Sequence, residues 1–137
     1  MKDYQDGQGY KKLKIYQRAH DLAIQVHKMT MKLPKFELFE EGSQIRRSAK
    51  SVSSNIVEGH ALRRYKLEYL HYLLRALGSS LETVEHLDFL TETESLKDGE
   101  LYKLLYDGYT ELNRMLYRFI ESVELQHDSA RVGKMGK

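Results

Sequence analysis

The sequence contains no cysteine and a single proline, Pro34. Without cysteine the chain has neither a disulfide framework nor a thiolate metal site, and this fits a reducing cytoplasm. Long uninterrupted segments follow Pro34, and they favour helices over a β fold with many turns. A chain of 137 residues suits one domain that buries a core without covalent staples.

Long apolar runs and a strong net charge are also missing. No stretch approaches the ~20 apolar residues of a membrane helix, and residues 1–7 lack the apolar segment of a signal peptide. We therefore expect no membrane association. The formal net charge is only +2. Any nucleic-acid binding must therefore come from local clusters of basic residues.

Catalytic signatures are absent as well. The sequence has no glycine-rich phosphate loop, no nucleophile elbow and no credible catalytic triad. We expect a protein that is not an enzyme and that uses no cofactor, which leaves a helical interaction module.

Four amphipathic segments are present, at about 13–33, 41–59, 65–93 and 100–125. With short connections they predict an all-α, up-down-up-down antiparallel four-helix bundle over residues 12–125. We expect a flexible arm at 1–11 and a flexible basic tail at 126–137. The apolar spacing of the third helix predicts this core face: Leu67, Leu70, Leu74, Leu77, Leu81, Val84 and Leu90. In the first connector, Phe36, Leu38 and Phe39 are expected to fold onto the end of the bundle.

The second helix has a narrow apolar stripe surrounded by small residues. Serine is a mediocre helix former, so its abundance here indicates close approach of a neighbouring helix. The stripe is Ile45, Ala49, Val52 and Ile56, and the serines are Ser48, Ser51, Ser53 and Ser54. Gly78-Ser79-Ser80 of the third helix is the expected contact, with Gly78 opposite Arg46 and Glu82 near Gly42. Gly59 is expected to end the second helix as its C′ residue.

One basic cluster lies within the second helix and another follows it. The predicted nucleic-acid contacts are these residues: Arg46, Arg47 and Lys50, then Arg63, Arg64 and Lys66. For Arg46 and Arg47 we prefer ion pairs with the acidic end of the third helix, because structural ion pairs are the commoner use of such residues. Phosphate contact is the alternative for them. The second cluster is the better place for phosphate contact.

Other polar residues allow further interpretations. A catalytic pair is one interpretation of Asn55 and Glu58, but we prefer a buried amide hydrogen bond for Asn55 and a contact of Glu58 with the basic turn. The ten tyrosines are better explained by core edges and subunit interfaces than by base stacking. Two Glu-x-x-His pairs have the spacing of di-iron bundles: Glu68/His71 and Glu124/His127. The first helix supplies no glutamate, so metal binding is only a remote alternative.

The second helix carries a recognisable pattern: Gln44-x-Arg46-Arg47, Ser51, and Asn55-Ile56-x-Glu58-Gly59. Supporting matches are Tyr16-x-x-Ala19, Leu33-Pro34 and Ala76-x-Gly78-Ser79-x-x-Glu82. Over residues 12–120 the chain resembles the small bacterial four-helix-bundle proteins of the 23S rRNA intervening-sequence family.

This resemblance implies a bundle that associates with itself as a ring, most often a pentamer. Some family members are encoded within an extra segment of large-subunit ribosomal RNA genes. The accessory variability determinant of diversity-generating retroelements is similar; it binds nucleic acid and a reverse transcriptase. The expected partners are therefore further copies of this chain, RNA or DNA, and a protein such as a reverse transcriptase. The resemblance assigns structure or assembly to these residues: Gln44, Ser51, Asn55, Glu58, Gly59, Gly78, Ser79 and Glu82.

Overall fold

The structure, a computed structural model, describes the backbone of residues 7–135 and the side chains of residues 7–126. Its four α-helices are α1 Lys14–Thr30, α2 Glu41–Ala61, α3 Lys66–Glu92 and α4 Gly99–Met135. Each helix packs on the next along the chain, and α4 also packs on α1. No strand occurs within residues 7–135. The predicted all-α, up-down-up-down four-helix bundle is confirmed. None of the described helices has the length and apolarity needed to cross a membrane.

All four helices contribute to one core, and α2 does so as its sequence predicts. Ile45, Ala49, Val52 and Ile56 are all buried. Burying such aliphatic side chains contributes ~1.5–3 kcal/mol each for the larger ones. The stripe therefore fixes which side of α2 faces the bundle.

The core face of α3 matches the predicted one only in part. Leu77 and Leu90 are buried, and Leu70 and Val84 pack against the core. Leu67, Leu74 and Leu81 are 72%, 53% and 48% exposed. The face that packs inward consists of Tyr69, Leu73, Ala76, Leu77, Ser80, Thr83, Leu87 and Leu90. α3 carries two apolar stripes, and the inner one includes small and hydroxyl side chains that allow its neighbours close approach. Apolar spacing alone does not distinguish the two stripes.

The first connector also differs from its prediction. Phe36 and Phe39 are exposed, Phe39 by 87%, whereas Glu37 is only 3% exposed. Lys35–Leu38 form a 3-10 turn, and the carboxylate of Glu37 accepts hydrogen bonds from the backbone N–H of Gly42 (3.2 Å) and the hydroxyl of Ser95 (2.6 Å). The aromatic fold-back is wrong because the first turn of α2 needs an acceptor for its free N–H groups, and Glu37 supplies it.

The sequence predicts the ends of the helices less accurately than their number and order. α2 continues past Gly59 to Ala61, so Gly59 is not a C′ residue. A Cβ at Gly59 would lie 3.1 Å from the Cβ of Tyr72, and glycine is needed there for the approach of α3. α4 continues beyond the predicted Leu125.

The predicted arm and tail are only partly described. Gly9–Lys12 of the arm form a 3-10 turn. Residues 1–6, and the side chains of 127–137, lie outside the described residues. The flexibility of both ends stays a prediction.

Candidate functional site

The serines of α2 fall on two different sides of the helix. Ser48 shares a hydrogen bond with Thr83 of α3 (2.8 Å), and Ser51 shares one with Ser79 (2.9 Å). Ser53 and Ser54 instead line a groove between α2 and α1. Small residues in α2 therefore serve a close helix contact on one side and leave open space on the other.

The Gly78-Ser79-Ser80 stretch divides its contacts in the same way. Ser79 faces α2, and the hydroxyl of Ser80 donates to Oδ1 of Asn113 on α4 at 2.5 Å. Gly78 points outward, since a Cβ there would meet nothing within 4 Å. The expected approach of Gly78 to Arg46 is wrong within the protomer: the register places Ser79 beside Ser51.

The family-pattern residues of α2 have distinct positions. Nδ2 of Asn55 donates to the carbonyl of Ser51 (2.8 Å) and to its hydroxyl (3.0 Å), so the amide is buried and satisfied. Gln44 and Glu58 are exposed. The expected contact of Glu58 with the basic turn stays a prediction.

An apolar surface remains on the outside of α3 and α4. We call it the outer face; it comprises Leu67, Leu74 and Leu81 of α3 with Tyr117 and Leu125 of α4, all about half exposed or more. A groove of about 550 Å³ between Leu74, Leu77, Tyr117 and Leu125 belongs to it, and Arg118, Glu121 and Glu124 stand on its rim. Exposed apolar patches rimmed by charged residues mark interaction sites.

The first predicted basic cluster separates into two parts. Nη2 of Arg46 donates to the carbonyl of Leu38 at 2.8 Å, while its Nη1 is buried without a hydrogen-bond partner. Arg46 therefore holds the connector and does not pair with the acidic end of α3. Arg47 and Lys50 are exposed, so they are the members of this cluster that face solvent.

The second basic cluster lies at the opposite end of the bundle. Nη1 of Arg63 donates to the carbonyl of His60 at 2.8 Å, which holds this side chain along the α2–α3 turn. Burial raises the pKa of the neighbouring Tyr69 to about 12, with the guanidinium of Arg63 opposing that shift. Arg64 is exposed and Lys66 is half-buried.

Two polar constellations were missed by the sequence reasoning. No signal in the sequence pointed to Glu37, because its neighbours along the chain are aromatic and aliphatic. His86 of α3 hydrogen-bonds Glu41 of α2 through Nδ1 and Glu82 of its own helix through Nε2, the latter at 3.0 Å. The spacing of Glu82 and His86, four residues, was the available signal; the contact with Glu41 depends on the α2–α3 register.

Burial by itself lowers the pKa of His86, but its hydrogen bonds to the carboxylates of Glu41 and Glu82 together outweigh the effect of burial, so the pKa lies above its ordinary value. The ring of His86, held by carboxylates of both helices, fastens the start of α2 to α3.

A second groove lies between α1 and α2. It has a volume of about 510 Å³ and is lined by His20, Ala23, Ile24, His27, Lys50, Ser53 and Ser54. The ring of His20 stacks on that of Tyr16, with centroids 5.5 Å apart. The spacing of His20 and His27, seven residues, places them on one side of α1.

The remote metal hypothesis gains no geometric support. Within the side chains described, no three His, Asp or Glu residues are grouped to hold a metal ion. His71 lies edge-on to Tyr72, and His127 lies outside the described side chains.

Fold and surfaces together define an antiparallel four-helix bundle with an exposed apolar face on α3 and α4 and a groove between α1 and α2 that carries Lys50 and two histidines. The family described as 23S rRNA-intervening sequence protein matches residues 11–118, and the chain belongs to this family.

A solved structure has a similar fold. It is the crystal structure of a protein of unknown function from the S23 ribosomal protein family of Bacteroides thetaiotaomicron, 25% identical, with a TM-score of 0.69. The match covers 78% of this chain and 95% of that one. The curated proteins contain no match to this chain.

Proposed function

We propose that this protein is a non-enzymatic, self-associating accessory factor that binds nucleic acid in the cytoplasm. The observation that carries the proposal is the outer face. Its leucines recur every seven residues, a spacing typical of helices that pair along a seam. Gly78, between Leu74 and Leu81, leaves room for the backbone of a partner helix.

A second copy of the chain is the occupant that fits the outer face. The rim offers both Arg118 and the pair Glu121 and Glu124, so copies can pair opposite charges. The family resemblance favours a closed ring, most often a pentamer. In a ring each nucleic-acid contact is repeated, and weak contacts add.

Light scattering tests the assembly. The wild type is expected at about five times the protomer mass of 16.1 kDa. Leu74→Glu is expected to dissociate without losing helical circular dichroism. Phe39→Glu, an equal change at an exposed site on the connector, serves as the control and should leave the mass unchanged. A monomeric wild type at micromolar concentration would contradict self-association.

RNA is the nucleic acid that we favour, because the family takes its name from a ribosomal RNA segment. A salt-dependent gel-shift assay with structured RNA tests it. Binding should weaken steeply with added salt, and Arg63→Ala/Arg64→Ala should weaken it further. Absence of a shift at low salt would count against nucleic-acid binding.

A protein partner is the second hypothesis, and the exposed connector favours it. Phe36 and Phe39 stand out from the end of the bundle, where aromatic side chains serve as binding anchors. A reverse transcriptase is the partner that the resemblance suggests. Co-purification that survives nuclease treatment and is lost in Phe36→Ser/Phe39→Ser would support this function.

A further inference from the structure

We propose that the α1–α2 groove is a binding site for one strand of nucleic acid, with a phosphate against Lys50 and bases against the rings of α1. This inference rests on the proposed function and adds to it the site and the form of the nucleic acid.

The groove has the charge that a phosphate backbone requires. Lys50 is exposed on its wall, and none of its lining residues is acidic. Arg47 is exposed one turn earlier on α2, so a second cation lies along the same helix. The nearby Asp21 of α1 accepts a hydrogen bond from Gln25 at 2.7 Å and does not line the groove.

The groove is open because its walls are small. Ala23, Ser53 and Ser54 stand where larger side chains would fill the space between the helices. The hydroxyl of Ser53 donates to the carbonyl of Lys50 at 3.0 Å, so this residue keeps to the wall of α2. Ser54 is exposed and is available as a hydrogen-bond donor.

A row of planar rings leads into the groove. Tyr10 and Tyr16 meet edge to face at 4.8 Å, and Tyr16 stacks on His20 at 5.5 Å. His27 continues the row two turns further along α1. Proteins that bind single strands combine such rings with a basic groove, and the bases stack on the rings. A duplex offers the rings no base faces, so the arrangement favours a single strand.

Fluorescence anisotropy with the full-length protein tests the site. The probes are a labelled 20-nucleotide single-stranded RNA of mixed sequence and the same RNA as a duplex, at low salt. The wild type is expected to prefer the single strand about tenfold or more. Ser54→Phe fills the groove without changing the net charge and should weaken single-strand binding about tenfold.

Charge variants test whether RNA binding depends on the groove or on general electrostatic attraction. Lys50→Glu should weaken single-strand binding about tenfold, since it reverses the charge at a phosphate contact. Arg114→Glu makes the same charge change at an exposed position of α4, and its effect should stay within about twofold. Circular dichroism and light scattering confirm that each variant keeps the wild-type fold and mass.

The outcomes distinguish this site from the general function. If the wild type binds RNA and both Ser54→Phe and Lys50→Glu bind equally well, the groove proposal is overturned while nucleic-acid binding stands. Equal affinity for the duplex also overturns it. If the wild type binds neither RNA, both proposals fall.

Discussion

Both sides of α3 carry leucines, yet the two sides meet different surroundings. On the inner side, Leu73, Leu87 and Leu90 are buried among the other helices. On the outer side, Leu67, Leu74 and Leu81 remain exposed. The small residues between the leucines differ too. The inner side has Ser80 and Thr83, which are hydrogen-bonded across to α4 and α2, whereas the outer side has a glycine.

This contrast shows what apolar spacing can and cannot indicate. A leucine repeat marks a surface that avoids water, but it does not say whether the cover comes from the same chain or from another copy. Small hydroxyl residues are the better guide to the inner side, because a buried hydroxyl must find a partner and the partners lie in the same bundle. Predictions about the two sides can therefore separate protomer stability from assembly.

The largest expected effect is the difference in stability between a variant that shortens an inner leucine and one that shortens an outer leucine. Leu73→Ala should lower the free energy of unfolding by about 2–5 kcal/mol, because it removes buried contacts and leaves a cavity. Leu74→Ala should cost the protomer within about 0.5 kcal/mol. Urea denaturation at several protein concentrations measures both.

The dependence of each loss on protein concentration shows whether a leucine variant weakens the protomer or the assembly. The loss in Leu73→Ala should be the same at every concentration, whereas the loss in Leu74→Ala should appear only where the wild type is assembled. Equal and concentration-independent losses would contradict the distinction between the two sides.

The hydroxyl pair on the inner side should show the next largest effect. Thr83→Val keeps the shape of the side chain but removes the hydroxyl that shares a hydrogen bond with the buried Ser48, and this should cost about 0.5–1.5 kcal/mol. The Ser48 hydroxyl keeps the carbonyl of Ile45 at 3.2 Å as an acceptor, so adding Ser48→Ala should cost little more once the pair is broken. Thermal and urea unfolding of the single and double variants measure the coupling.

Thr110→Val provides the control for the hydroxyl pair. The hydroxyl of Thr110 contacts only the carbonyl of Tyr106 in its own helix, at 2.9 Å, so its loss should stay within about 0.5 kcal/mol. Additive losses for Thr83→Val and Ser48→Ala would show that the two hydroxyls do not depend on each other.

A smaller effect is expected at the outer glycine. Gly78→Ala should stabilise the dilute protomer by about 0.5–1 kcal/mol, because alanine is the better helix former and its Cβ meets nothing in the protomer. In the assembly the same change should weaken association if a partner helix lies close to Gly78. Melting temperature at low concentration and light scattering at high concentration measure the two effects.

Gly108→Ala is the matched variant in the bundle interior. Its Cβ would lie 2.6 Å from Cδ2 of Leu22, so Leu22 must move and stability should fall. A loss of stability in dilute Gly78→Ala would contradict the open position of this glycine.

The sequence was sufficient for the number, order and type of the helices. Pro34 and the short connections separate periodic segments, and the inward stripe of α2 was identified residue by residue. The same periodicity failed on α3 because two apolar stripes satisfy it. Choosing between them requires the register with α2, which no single helix specifies.

The candidate sites were less predictable because they depend on contacts between segments distant in sequence. Arg46 was expected to pair with acidic residues of α3, but the end of the connector brings the carbonyl of Leu38 within its reach. Glu37 was passed over since its partner Ser95 is far along the chain. The α1–α2 groove arises from small residues on one helix facing histidines on another, and neither pattern is informative alone.

The smallest effect concerns the edge between the two sides of α3, where His86 contacts Glu41 and Glu82. The folded pKa of His86 lies above its ordinary value of 6.5, so its stabilising contribution is fully present below about pH 6.5 and is lost as the pH rises through the folded value. The unfolding free energy of the wild type should therefore exceed that of His86→Gln most at pH 6 and least at pH 9. The ring is partly exposed and screened, so the difference should stay below about 1 kcal/mol.

Glu82→Gln should reduce this pH dependence, whereas Glu85→Gln, an exposed neighbour that does not contact His86, should leave it intact. A difference that grows with pH would contradict a pKa of His86 raised by its two carboxylate partners.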